Sequence, residues 1–108
     1  MDHPIAILGS PNAIGGFKAL GVRAWPVATA EQGREVLQQI AASECAILLI
    51  TEDWADQLRP ELDELRTRAL PAVTVVPGPT GSTGAGDREL RRIVERAVGS
   101  DILFKNDK

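Results

Sequence analysis

Four short apolar runs alternate along the chain with longer segments whose apolar residues recur at helical spacing. The first run, Pro4-Ile5-Ala6-Ile7-Leu8, is closed by Gly9-Ser10-Pro11-Asn12. An uninterrupted apolar run bounded by turn residues predicts a strand buried on both faces, as in the middle of a parallel sheet. Ala13 to Val22 follows as a predicted short helix. Ile14, Phe17 and Leu20 share one face there, and Gly21 supplies a left-handed stop. Gly15 and Gly16 weaken that helix. They suit either close packing on the strand or a backbone approached by a phosphate or another chain.

The second run, Arg23-Ala24-Trp25-Pro26-Val27, contains a proline. Proline cannot donate to a ladder, so this strand belongs at a sheet edge. Thr29-Ala30-Glu31-Gln32 has capping-box spacing, and Gly33, Val36, Leu37, Ile40 and Ala41 form the buried stripe of the helix it opens. The third run, Cys45 to Ile50, is the most apolar and belongs at the sheet centre. Thr51-Glu52-Asp53 starts the next helix, with acids where the helix dipole favours them. Trp54, Ala55 and Leu58 face inward, and Pro60 begins a new turn. Leu62, Leu65 and Ala69 carry the apolar face on to Leu70.

The fourth strand, Ala72 to Val76, is entered through Pro71 and followed by a glycine- and proline-rich loop, Pro77 to Gly86. Asp87 is the expected cap of the last helix. Leu90, Ile93, Val94, Ala97 and Val98 make its buried face, and Gly99 is its expected end. A tail, 100–108, remains. Strict alternation of strand and helix implies an α/β layer fold with a parallel sheet. Right-handed crossovers and the Pro26 edge give strand order 2-1-3-4, with helices on both faces. The expectation is one receiver- or flavodoxin-like domain over 1–99, with no internal repeat.

Composition narrows the function. At 108 residues and 44% apolar, the chain can bury one core without disulfides. Its net charge of -3 supplies no basic stripe, which argues against nucleic acid as a partner. Cys45 is the single cysteine and reads as a small buried apolar residue. No segment approaches the roughly 18 apolar residues of a membrane span, and Met1-Asp2-His3-Pro4 does not open a signal peptide. A cytoplasmic location is the expectation.

Most chemical motifs fail by position. From Gly9 the spacing to Gly15-Gly16 is one residue too long for a phosphate-binding loop, and no Lys-Thr comes next. Gly9-Ser10-Pro11 breaks the dinucleotide fingerprint at its second position. A phosphoacceptor receiver needs acids after the first strand and an aspartate ending the third. Gly9-Ser10 and Thr51 stand there instead. His3 is the lone histidine and is read as a surface residue, and Ser10 as a turn or cap. The expectation is no catalytic residue, no metal and no cofactor. Arg88, Arg91, Arg92 and Arg96 alternate with Glu89 and Glu95 as a solvated helix face with internal pairing, or as a protein contact. Ile102-Leu103-Phe104 is the anomaly, because three large apolar residues in a tail are costly to leave in water. Either they dock on their own domain or they await a partner. Trp25, on the edge strand, raises the same choice.

Several segments carry a resemblance. Gly16-Phe17-Lys18-Ala19-Leu20-Gly21-Val22 after the first strand, Ile47-Leu48-Leu49-Ile50-Thr51-Glu52, Leu70-Pro71-Ala72-Val73 with Val76-Pro77-Gly78, and Ile93-Val94 through Ala97-Val98-Gly99 to Asp101-Ile102 occur in the order found in the F subunits of V-type and archaeal A-type ATPases. The chain resembles that family over nearly its whole length. Lys18 stands where the family has arginine, Ala19-Leu20 inverts its Leu-Ala order, and the Gly-rich loop is this chain's own. The resemblance implies a non-catalytic central-stalk subunit that clamps the coiled-coil shaft (the D subunit) below the catalytic A/B hexamer. It also implies contacts of the C-terminal segment towards the hexamer, and a place peripheral to a membrane-bound, proton- or sodium-translocating complex. The expected contact residues are Lys18, Val22, Arg23, Trp25 and Val27 around the first helix and edge strand, with Ile102, Leu103 and Phe104 in the tail. The rival expectation, from the residues alone, is a receiver-like signalling or protein-interaction domain. A third is a small-ligand or phosphate binder using Pro77 to Gly86.

Overall fold

The computed structural model describes residues 5–14, 17, 21–69, 71–78 and 85–106, with the last helix described by its backbone alone at 85–87 and 100–106. Four parallel strands form one sheet in the order β2-β1-β3-β4. They are β1 (Ile5–Gly9), β2 (Arg23–Pro26), β3 (Ile47–Thr51) and β4 (Ala72–Val76). The helices between them are α1 (Pro11–Ile14), α2 (Ala30–Ala42), α3 (Glu52–Gln57), α4 (Arg59–Leu65) and α5 (Ala85–Asn106). The predicted order and the edge position of Pro26 are both observed. β1 and β3 pair in register, Ile5 opposite Ile47 and Leu8 opposite Ile50, at the centre of the sheet.

The period-two alternation of the central strands divides the interior into two cores. Ala6 and Leu8 of β1 and Leu48 and Ile50 of β3 face α2, α3 and α4, which contribute Leu37, Ile40, Trp54, Leu58, Leu62 and Leu65. Ile5, Ile7 and Leu49 point the other way, towards Ile14, Phe17, Leu90 and Val94. A strand with helices on both sides has no polar face to show. That is why the two central runs are apolar at every position.

The local signals act as the sequence suggests at several helix ends. Thr29 accepts a hydrogen bond from the Gln32 amide at 3.1 Å. The Gln32 side chain answers by accepting from the Ala28 amide at 2.8 Å, one residue earlier than in the standard capping box. Pro60 lies in the first turn of α4 and separates it from α3. Gly21 has φ +89°, the left-handed conformation expected of it. At the far end of α2, Arg68 donates to the Ala41 carbonyl at 2.9 Å, satisfying a terminal acceptor.

Several boundaries differ from expectation. The first helix begins at Pro11 and is described only to Ile14, and Phe17 lies in a helical turn. Pro at a first helical position loses no bond, so the turn residue became a helix start. β3 begins at Ile47 rather than Cys45, and β2 stops at Pro26. α4 ends at Leu65, leaving Ala69 exposed rather than on the buried face. α5 starts at Ala85, so Asp87 belongs to its first turn and is not its cap. Gly99 does not end α5, which continues to Asn106 through the boundary expected at 99/100. Its φ is not positive. Glycine inside a helix costs only about 1 kcal/mol, and helical context outweighs that.

Gly9 shows why one glycine is needed. A Cβ there would stand 2.8 Å from Ile14 Cγ2 and 3.1 Å from Thr51 Cγ2. Gly9→Ala is expected to lower stability by about 1–3 kcal/mol through overpacking. Denaturant titration with an unchanged m-value checks this.

Cys45 is buried and its thiol donates to the Ile47 carbonyl at 3.2 Å. Burial raises the thiol above its ordinary range, against a smaller lowering by backbone hydrogen bonds with Ile47 and Ala6. The folded chain therefore holds this proton more tightly than the unfolded one. Any stability contribution is complete below the ordinary thiol pKa and is lost as pH rises through the raised folded value. Iodoacetamide at pH 8 is expected to modify Cys45 far more slowly in the native protein than in urea.

A candidate protein-interaction edge

Where a doubly wound fold places its ligand, at the carboxyl ends of β1 and β3, this chain has packing contacts. Ser10 accepts a hydrogen bond from Trp54 Nε1 at 2.9 Å, tying the β1–α1 turn to α3. Thr51 is fully buried, its hydroxyl without a partner among the described residues. Thr51 holds the position a receiver would give to its phosphoacceptor aspartate. Glu52 and Asp53 follow in the first turn of α3 and are exposed. The Gly9 cradle is filled by Ile14 and Thr51 side chains, which leaves no close backbone approach for a phosphate.

The opposite feature is the free edge of β2. Its pairing runs from Ala6–Arg23 to Gly9–Pro26, on one side only among the described residues. The Arg23 guanidinium lies 4.7 Å from the centre of the Trp25 ring, a cation–π contact worth about 0.5–1 kcal/mol at an exposed site. Trp25 is partly buried against the α2–α4 core and partly in solvent. A partly exposed indole flanked by an arginine is the composition of interface anchors, in which a large rigid area carries most of the energy.

The eight expected contact residues separate into groups. Arg23 and Trp25 are brought together on the edge. Val22 and Val27 are corrected as direct contacts, being only 4% and 1% exposed. Val22 belongs to the core beneath α5, and Val27 to the core beneath α2–α4. The amide of Val27 donates to the Gly9 carbonyl at 2.9 Å. The two valines flank β2 five positions apart, so the strand's alternation sends them to opposite faces. That signal was present in the sequence. Lys18 lies outside the described residues, as do His3, Gly15, Gly16 and most of the Gly-rich loop. The backbone at Ile102, Leu103 and Phe104 is the last part of α5, helical rather than an irregular tail.

On α5 the arginines are exposed, and the Arg92–Glu89 pair closes at 2.6 Å. The spacing is i,i+3 rather than i,i+4, and so exposed a pair adds little stability. Arg91 is not solely a solvated charge. Its guanidinium lies 5.4 Å from the centre of the buried Phe17 ring, linking α5 to the segment after α1. No helix among the described residues is long and apolar enough to cross a membrane.

Comparison with known proteins places this architecture. The family described as ATP synthase (F/14-kDa) subunit matches residues 5–94. The V-type ATP synthase F subunit of Clostridium perfringens is 30% identical over 103 residues, covering 95% of this chain and 98% of that protein. The A-type ATP synthase F subunit of Methanosphaera stadtmanae is 28% identical over 105 residues, covering 95% and 99%. Among solved structures, the V-type ATP synthase F subunit of Archaeoglobus fulgidus superposes with a TM-score of 0.52 at 19% identity, covering 68% of this chain and all of that one. That structure speaks for the fold, and the full-length sequence matches speak for the family. The chain belongs to the F-subunit family of V-type and A-type ATP synthases.

Proposed function

We propose that this chain is a non-catalytic central-stalk subunit of a V/A-type rotary ATPase or ATP synthase. It binds the coiled-coil shaft, the D subunit, and its C-terminal region reaches towards the catalytic A/B hexamer. In that place it helps couple ATP hydrolysis or synthesis to proton or sodium transport, on the cytoplasmic side and peripheral to the membrane. The match to the family over residues 5–94 carries the reading.

The geometry supplies a mechanism. A three-layer domain is stiff because both faces of its sheet are packed. Docked on a shaft, it adds cross-section and resists bending, and it transmits torque through contact alone. The Arg23–Trp25 edge is the shaft-facing contact in this reading, since it offers a rigid ring and a fixed cation at one free margin of the sheet. Coiled coils expose acidic and basic residues beside their apolar seam. An arginine held over an indole can meet both kinds of surface. In this reading the end of α5 is the part that senses the state of the hexamer.

Purifying the intact rotary complex from the source cells under mild detergent tests this directly. The chain is expected at fixed stoichiometry with the coiled-coil shaft. A complex that is complete and active without it would overturn the proposal.

A further inference from the structure

We infer that the opposite margin of the sheet, β4, accepts an extended basic segment of a partner protein as a fifth strand. This goes beyond the shaft contact proposed for β2 and uses different residues.

The two margins are unequal. β2 carries Pro26 and a charged Arg23, features that blunt an edge against pairing. β4 reads Ala-Val-Thr-Val-Val, β-branched and uncharged from Val73 to Val76. Among the described residues it pairs only with β3. Val75 is 41% exposed, and Ala72 and Thr74 are exposed beside it. The Ala72 amide donates inward to the Ala46 carbonyl at 2.8 Å. Peptide groups alternate in direction along a strand. The N–H and C=O of Val73 and Val75 therefore point outward, ready for a ladder.

Charge identifies the occupant. Val75 borders an open groove of about 540 Å³ between β4 and the α3–α4 pair. Glu52, Asp53, Asp56 and Asp63 line it. Arg59 pairs with Asp56 at 2.7 Å and Arg66 with Asp63 at 3.9 Å. Glu52 and Asp53 form no ion pair among the described residues. An added strand sends alternate side chains over this groove, and Lys or Arg at those positions meets the surplus negative charge. A second copy of this chain fits poorly. Antiparallel β4–β4 pairing about a two-fold axis normal to the sheet would set both acidic grooves on the same side.

The test uses the full chain and a fluorescent heptapeptide of alternating lysine and valine, with a glutamate–valine peptide as control. Anisotropy gives affinity, and amide exchange locates the contact. The lysine peptide is expected to bind, to protect the Val73 and Val75 amides, and to lose affinity at higher salt. Val75→Pro removes an outward N–H without touching the β3 ladder, so the fold is retained. It is expected to weaken binding at least tenfold, as is the double variant E52K/D63K. V75P is expected to keep its hold on the coiled-coil shaft, which separates this inference from the proposed function. The inference is overturned by no binding, by equal binding of the acidic peptide, or by undiminished binding to V75P. Protection at Arg23–Pro26 instead, or a V75P-sensitive dimer of the chain, would overturn it equally.

Discussion

Trp54→Ala is expected to remove about 3–5 kcal/mol of folding stability, the range for losing a large buried aromatic. Trp54 is 4% exposed and stands in the larger core beside Leu58 and Leu62. Its indole N–H also donates to Ser10 at 2.9 Å, across 44 positions of sequence. The alanine variant loses the ring's packing, leaves a cavity and frees the turn after β1. Domains of this kind hold about 5–15 kcal/mol in total, so the variant is expected near the edge of folding at 37 °C. Trp54→Phe separates the two effects. It keeps most of the volume and loses the hydrogen bond, a difference of about 1–2 kcal/mol. Urea titrations of the three proteins give the comparison. A Trp54→Ala midpoint within experimental error of wild type would contradict the packing described here.

The second large effect concerns the β2 edge. Trp25→Ala is expected to weaken association with the coiled-coil shaft by about 2 kcal/mol or more, the scale of an interface hot spot. That is roughly thirtyfold in Kd. Arg23→Glu reverses the charge over the ring and is expected to weaken binding about tenfold while leaving the fold intact, because Arg23 is exposed. Trp25→Ala also takes a half-buried ring from the α2–α4 core. Its binding is therefore compared by titration at a temperature where circular dichroism shows native structure. Full-strength binding by both variants would move the contact elsewhere on the domain.

The sequence made the sheet legible because each strand obeyed a rule that tertiary packing could not override. Pro26 can stand only at an edge, and the apolar runs at Ile5 and Ile47 can be satisfied only between two helical layers. Thr29 and Pro60 mark helix starts through local hydrogen bonding and backbone shape, which need no distant partner. Gly99 misled because glycine permits a helix to stop without requiring it. Asp87 misled because an acid suits a first turn as well as a cap. Val22 and Val27 were expected among the contact residues of the first helix and edge strand, although two-residue alternation places them in the cores. The Trp54–Ser10 hydrogen bond joins residues from separate elements, and no local pattern announces such a pair. The edge position of β4 was implicit in the strand order, with its uncharged composition as the readable signal. Of the acids beside it, Glu52 and Asp53 were read only as helix first-turn residues, because the convergence of all four depends on how α3 and α4 pack against the sheet.

Sedimentation equilibrium of this chain mixed with the coiled-coil shaft protein tests the central claim most directly. The account predicts a one-to-one complex that Arg23→Glu and Trp25→Ala weaken in that increasing order. Two independently sedimenting species at micromolar concentration would contradict it.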